Sequence, residues 1–198
     1  GVIVMNAPFG NSVTTAEHTM ALMLAAARHI PAATASTRVG KWEKNGFMGR
    51  ELAGKTLGII GTGNIGTLVI ERCKGMKMNI LAYDPFISKA KAQDLGIELV
   101  EDMERFWPRV DVLTIHSPLT PKTRHMVNAA AFDKMKKGVI VINCARGGIV
   151  DETALYDALK SGKVFAAGLD VFEKEPAKEN PLFELDNVVF NFRLNFCW

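Results

Sequence analysis

Thr56-Leu57-Gly58-Ile59-Ile60-Gly61-Thr62-Gly63-Asn64-Ile65-Gly66 is the stretch of this chain that decides its fold. An apolar run leads directly into three glycines spaced G-x-G-x-x-G, and an amphipathic segment from Ile65 to Met76 follows them. The next apolar run ends in Leu81-Ala82-Tyr83-Asp84, which places an acid about 20 residues beyond the turn, as a dinucleotide-binding βαβ unit requires. Gly61 permits the tight turn, Gly63 lets backbone N–H groups approach a pyrophosphate, and Gly66 lets the helix pack closely on the strand. The anion then rests on the helix N-terminus, at Asn64 and Ile65. Asp84 can accept hydrogen bonds from the adenosine ribose hydroxyls and repels a 2′-phosphate, which favours NAD over NADP. Its other reading is a turn residue before Pro85.

Working outward, strand and helix alternate from Lys55 on. The pattern predicts strands at Leu57-Ile60, Asn79-Tyr83, Glu98-Leu99, Val112-His116, Val139-Asn143, Phe165-Asp170 and Val188-Phe190, and helices at Ile65-Met76, Lys89-Asp94, Ala129-Lys134 and Glu152-Ser161. Apolar strands without in-out alternation imply a parallel sheet with helices on both faces, a doubly wound α/β domain of the Rossmann type. Upstream, Thr14 and Glu17 suggest a capping box opening a helix that runs to about His29, before Pro31. Its segment Met20 to Ala27 is apolar almost all round, which suits burial on more than one side, within the domain alone or against a partner as well. The polar stretch Arg38 to Lys55 carries Trp42, Phe47 and Met48 as isolated large apolar groups and reads as an arm needing a surface to bury against.

The 198 residues, 48% of them hydrophobic, suit one domain with an ample core. The net charge of +3 arises from 24 basic and 21 acidic residues spread along the chain, with only Lys134-Met135-Lys136-Lys137 forming a cluster. That distribution argues against a nucleic-acid or membrane partner. Three scattered cysteines, Cys73, Cys144 and Cys197, form neither a disulfide framework nor a metal-ligand spacing, so a reducing cytoplasm is expected and no metal. The chain opens on Gly1 rather than Met, inside what reads as a short strand, Val2-Ile3-Val4-Met5, which suggests a piece of something longer.

Polar groups gather after the predicted strands: His116-Ser117-Pro118, then Asn143-Cys144-Ala145-Arg146-Gly147-Gly148, then Asp170-Val171-Phe172-Glu173-Lys174-Glu175-Pro176. In a doubly wound sheet this is the ligand-binding edge. Arg146, freed by two following glycines, suits a bidentate hold on a carboxylate, with a surface salt bridge as the other reading. Glu175 reads as a solvated loop carboxylate raised in interest by its place after a strand. His116 fits a structural histidine better than a general base. His18, His29 and His125 show no acid-base partner. Cys144 reads as soft filler, since nothing near it in sequence lowers its pKa.

These motifs together resemble the nucleotide-binding domain of the D-isomer-specific 2-hydroxyacid dehydrogenases. The resemblance spans Gly1 to Phe190 and rests on Asn11-Ser12 through Glu17, Gly40-Lys41-Trp42-Glu43, Gly54 to Gly61, Asn143 to Glu152, and Asp170-Val171-Phe172 with Glu175-Pro176. Trp42-Glu43 with Phe47-Met48-Gly49 tips it toward the branch that oxidises 3-phospho-D-glycerate for serine synthesis. The resemblance implies that Asn64 and Ile65 contact the pyrophosphate, Asp84 the ribose, and Ser117, Cys144, Ala145 and Asp170 the rest of an NAD cleft. Arg146 would bind the substrate's carboxylate and carbonyl, and Glu175 would orient a histidine that takes the hydroxyl proton. It also implies a homodimer through the N-terminal helix and tryptophan arm.

The similarity fails at the end. Where the family has Thr-Pro-His, this chain reads Asn191-Phe192-Arg193, and an arginine cannot exchange the proton at neutral pH. The expectation is therefore an NAD-binding domain over 1–190 (helix and arm 12–54, core 55–190) and a divergent tail over 191–198, without the substrate domain. Alone it would bind NAD with little or no turnover. Alternatives are a glyoxylate/hydroxypyruvate reductase or a non-catalytic NAD-sensing corepressor.

Overall fold

Residues 10–191 are described by a computed structural model. The expected strand at Val2-Met5 and the tail substitution at Arg193 lie outside them.

The apolar runs form seven strands: β1 (Thr56–Ile60), β2 (Asn79–Tyr83), β3 (Glu98–Leu99), β4 (Val112–Ile115), β5 (Val139–Asn143), β6 (Val164–Leu169) and β7 (Val188–Phe190). They lie in the order β3-β2-β1-β4-β5-β6-β7, every neighbouring pair parallel. Every residue of β4 and β5 is buried, as expected of strands covered on both faces. Side chains still alternate between those faces. Ile140 and Ile142 enter the apolar layer shared with α1 (Ser12–Ala27) and α3 (Asn64–Gly75). Val139 and Val141 enter the opposite layer with α6 (Ala129–Lys134) and α7 (Glu152–Lys160). The remaining helices are α2 (Ile30–Arg38), α4 (Lys89–Asp94) and α5 (Met103–Phe106). The chain reverses direction of travel between β1 and β4, whose carboxyl ends meet where Gly61 abuts His116.

Two expectations are corrected near the amino terminus. Thr14 is not a cap: α1 begins at Ser12, its Ncap Asn11 makes no side-chain capping bond, and Thr15 Oγ1 donates back to the Asn11 carbonyl at 2.8 Å. Glu17 instead faces outward, 3.4 Å from Arg72 on α3. Pro31 does not stop a helix but starts one. The chain turns at His29, in the left-handed region at φ 51°, and Pro31 falls in the first turn of α2, where a missing N–H leaves no bond unmade. As an arm needing a surface would, the stretch Arg38 to Lys55 leaves Trp42 and Met48 at 79% and 77% exposure among the described residues, while Phe47 is half-buried. Smaller shifts move strand ends by one residue: β4 stops at Ile115 and β6 spans Val164–Leu169.

Candidate functional site

The glycine turn is shaped by what each missing Cβ would strike. Gly61 sits at φ 92°, and a Cβ there would come 2.6 Å from the His116 carbonyl oxygen. A Cβ on Gly66 would run into the Gly61 carbonyl, so the helix lies against the turn only because that position is bare. Gly63 differs. Its φ of −66° is ordinary and a Cβ there meets no protein atom within 4 Å. The space beside it is open, at the head of α3, where no side chain caps the first turn and Gly63 and Asn64 are exposed. An uncapped helix N-terminus behind bare backbone is an anion site.

Asp84 follows β2 and reaches the same turn. Its Oδ2 accepts from both the Thr62 amide and the Thr62 hydroxyl, each at 2.7 Å, and Oδ1 accepts from the Phe86 amide at 2.9 Å. Partial burial alone would raise its pKa. The bonds from Thr62, Phe86 and Ile87 outweigh it and hold the carboxyl below the usual range. Asp84 is thus an ion with both oxygens engaged, and part of its capacity to accept ribose hydroxyls is already taken.

At the end of β4, His116 Nε2 lies 3.0 Å from the buried Thr114 hydroxyl while Nδ1 is buried without a hydrogen-bond partner. Burial pushes this imidazole down to about 3, so it is neutral at physiological pH and a poor proton acceptor. The next residue, Ser117, has a buried Oγ with no hydrogen-bond partner, an orphan next to the open turn that a ligand's polar group can satisfy.

The loops after β5 and β6 converge on a cleft of about 1020 Å³ lined by Ala145, Arg146, Gly147, Asp170, Glu173 and Glu175, among others. Asn143, 2% exposed, holds the first loop: its Nδ2 donates to the Arg146 carbonyl at 3.0 Å and its Oδ1 accepts from the Ala145 amide at 3.1 Å. Its own carbonyl accepts from the Asp170 amide, linking the loops. A Cβ on Gly147 would collide with the Phe172 carbonyl, so backbone packs directly on backbone. Glu175 Oε1 accepts from the Phe172 amide at 3.0 Å, which fixes the second loop. Arg146 donates through Nη1 to the Ala145 carbonyl at 2.6 Å and is otherwise exposed to the cleft.

Of the residues singled out in sequence, Arg146, Glu175, Ala145 and Asp170 share this cleft, while Gly61, Gly63, Asn64, Ile65, Gly66 and Asp84 sit at the neighbouring turn on the same sheet edge. The Cys144 side chain does not join them. It is buried in the layer under α1, so only its backbone faces that edge. Two histidines read as lacking acid-base partners lie within ion-pair distance of carboxylates, His18 Nε2 at 3.5 Å from Asp170 Oδ1 and His125 Nε2 at 3.1 Å from Glu173 Oε1, although neither nitrogen makes a hydrogen bond. Sequence reasoning gave Asn143 and Thr62 no role of their own. A lone polar residue closing the wholly apolar β5 was the signal for Asn143. Nothing local marked Thr62.

Over residues 20–191 the chain matches the family model described as D-isomer specific 2-hydroxyacid dehydrogenase, NAD binding domain. The chain belongs to this family. As a 2-hydroxyacid dehydrogenase NAD-binding domain its cofactor is NAD, and the open Gly63 turn and the Ser117 orphan fit it. The chain is 56% identical over 189 residues to the D-3-phosphoglycerate dehydrogenase of Methanocaldococcus jannaschii and 57% identical over 190 to that of Archaeoglobus fulgidus. Each alignment covers 96% of this chain, which spans 36% of the relative's length. Among solved structures, the D-lactate dehydrogenase of Escherichia coli is 39% identical at a TM-score of 0.82, covering 91% of this chain and 56% of that one. A glyoxylate reductase from Paecilomyes thermophila is 34% identical at 0.86, covering 92% and 55%.

Proposed function

We propose that this chain is the NAD-binding domain of a D-3-phosphoglycerate dehydrogenase, an enzyme that oxidises 3-phospho-D-glycerate to 3-phosphooxypyruvate at the entry to serine synthesis. The observation that carries the reading is the meeting of Arg146 and Glu175 in one cleft beside the glycine turn. The identity of 56–57% to two enzymes of that name supports the choice of substrate.

NAD, when bound, supplies the acceptor for hydride. The protein's part is positional. Arg146 keeps one donor on Ala145 and offers the rest of its fork to the substrate's carboxylate and carbonyl, holding the reacting carbon in place. Glu175, anchored through Oε1, is placed to orient the histidine that in the family takes the hydroxyl proton. In this sequence Arg193 stands in that histidine's place, so the chain by itself binds NAD with little or no turnover.

The partner is a second copy of the chain. Val13 and Leu24 are exposed on α1, and Trp42 and Met48 on the arm, an apolar display suited to a homodimer interface. A cytoplasmic setting agrees with Cys73 as a buried thiol outside any disulfide among the described residues. Among the described residues no helix is long and apolar enough to cross a membrane.

Fluorescence titration of the chain with NADH tests the cofactor half: saturable binding weakened by Asp84→Ala is expected, and no binding at millimolar NADH refutes it. The substrate half is tested on a longer protein carrying this domain, by NAD reduction with 3-phospho-D-glycerate against D-lactate and glycolate. Turnover of D-lactate or glycolate in preference to the phosphorylated acid overturns that assignment.

A further inference from the structure

We propose that Thr62 is a specificity-determining residue of the NAD site: by donating both its amide and its hydroxyl to one oxygen of Asp84, it fixes the carboxylate that the adenosine ribose must meet. The proposal rests on the NAD site described above and concerns a residue that the dinucleotide fingerprint leaves as any amino acid, the x after the first glycine.

The geometry is closed on every side. Thr62 N and Oγ1 lie 2.7 Å from the same oxygen, Asp84 Oδ2, and the Phe86 amide holds Oδ1 at 2.9 Å. A carboxylate gripped at both oxygens cannot rotate about its terminal torsion, which is otherwise broad. Thr62 is held in turn. It is buried, and its carbonyl accepts from the Thr67 hydroxyl at 3.1 Å, tying the turn to the first turn of α3. The hydroxyl is the only side-chain donor to Asp84 among the described hydrogen bonds.

Two consequences follow for a dinucleotide. A ribose diol meets an acceptor already ordered, so little torsional freedom is lost on binding. A 2′-phosphate meets a negative charge that can neither turn away nor readily take a proton, because the same donors favour the ionised form. Without the hydroxyl, Asp84 Oδ2 keeps only the Thr62 amide, so both oxygens are still met but the carboxylate is held less tightly and its ionised form is favoured less. Affinity for the diol then falls, and so does rejection of the phosphate. A neutral aliphatic side chain at this position therefore blurs the choice between the two cofactors, although it touches neither charge.

The test is titration of the chain with NADH and with NADPH, followed by nucleotide fluorescence, for the parent sequence, Thr62→Val, Thr62→Ser and Asp84→Asn. Valine matches threonine in shape and retains the amide, and serine restores the hydroxyl. Expected is NADH affinity about fivefold weaker in Thr62→Val, the scale of ordering one side chain on binding. The NADH-to-NADPH preference should narrow in the direction of Asp84→Asn, and Thr62→Ser should recover both. Equal weakening of NADH and NADPH would show a merely structural role and overturn the proposal, as would affinities within twofold of the parent. Failure of the unsubstituted chain to bind NADH strikes the NAD reading itself and is told apart by that control.

Discussion

Replacing Gly63 by alanine separates two properties that most mutations in this turn would change together. The φ of −66° and ψ of −162° at this position are open to any residue, and the added Cβ has no protein neighbour within 4 Å. Loss of glycine's freedom in the unfolded chain stabilises by about 0.4–1 kcal/mol. Alanine is a poorer helix N-cap than glycine, which opposes this by roughly 0.5 kcal/mol. The two nearly cancel, and a melting temperature within about 2 °C of the parent is expected for a domain of this size. Binding behaves differently. The methyl group fills the one open side of the turn, where a pyrophosphate must come within hydrogen-bond reach of the Asn64 and Ile65 amides. Losing one or two charge-assisted bonds of about 1.5–3 kcal/mol weakens NADH roughly 10- to 100-fold. Thermal denaturation and NADH fluorescence titration of the same preparation read the two effects. An unchanged NADH affinity in a normally stable Gly63→Ala chain would refute the view that this turn cradles the pyrophosphate. A large loss of stability would refute the local geometry instead.

Gly147→Ala should do the reverse, because its Cβ collides with the Phe172 carbonyl and no rotamer can relieve a backbone clash; urea unfolding is expected to show a loss of about 1–3 kcal/mol. Stability should also fall with acid. The folded-state pKa of His116 lies near 3, below its ordinary 6.5, so below pH 6.5 the unfolded chain binds the proton that the folded chain refuses. Each unit between pH 6.5 and about 3 then removes up to about 1.4 kcal/mol. His116→Gln should flatten that slope in urea midpoints taken at pH 7, 6 and 5, and an equally steep slope in the variant would contradict the assignment. Arg146→Lys keeps the charge and loses the planar fork. It should leave NADH affinity within about threefold, yet lower kcat/KM of a longer protein carrying the domain by about 10²-fold through a misplaced substrate. Equal losses in both measurements would place Arg146 in cofactor binding instead.

Much of the fold was legible because its rules are local. Strands that appear as unbroken apolar runs, Val139 to Asn143 above all, can only be covered on both faces, and β4 and β5 proved buried throughout. Boundaries failed where one residue type serves two purposes. Pro31 reads equally well as the end of one helix or the first turn of the next, and the left-handed turn at His29 that decides between them has no sequence mark. The capping box at Thr14 failed for a similar reason, since a matching residue pair does not compel its bonds when the chain can start the helix three residues earlier, with its Ncap at Asn11.

By itself the sequence determined the parallel α/β class, the glycine turn between β1 and α3 and the polar residues that gather at the strand ends. These follow from backbone dihedral limits and from periodicity within a few residues, which no distant part of the chain alters. Only the tertiary structure decided who meets whom on that edge. Thr62 grips Asp84 across 22 residues, His18 comes from α1 to lie beside Asp170, and Gly147 presses on Phe172, since parallel order brings together strand ends that are remote in sequence. Those meetings depend on sheet order and on helix packing against it, which are long-range properties, and they turn scattered polar residues into one site with a defined charge and a defined entrance.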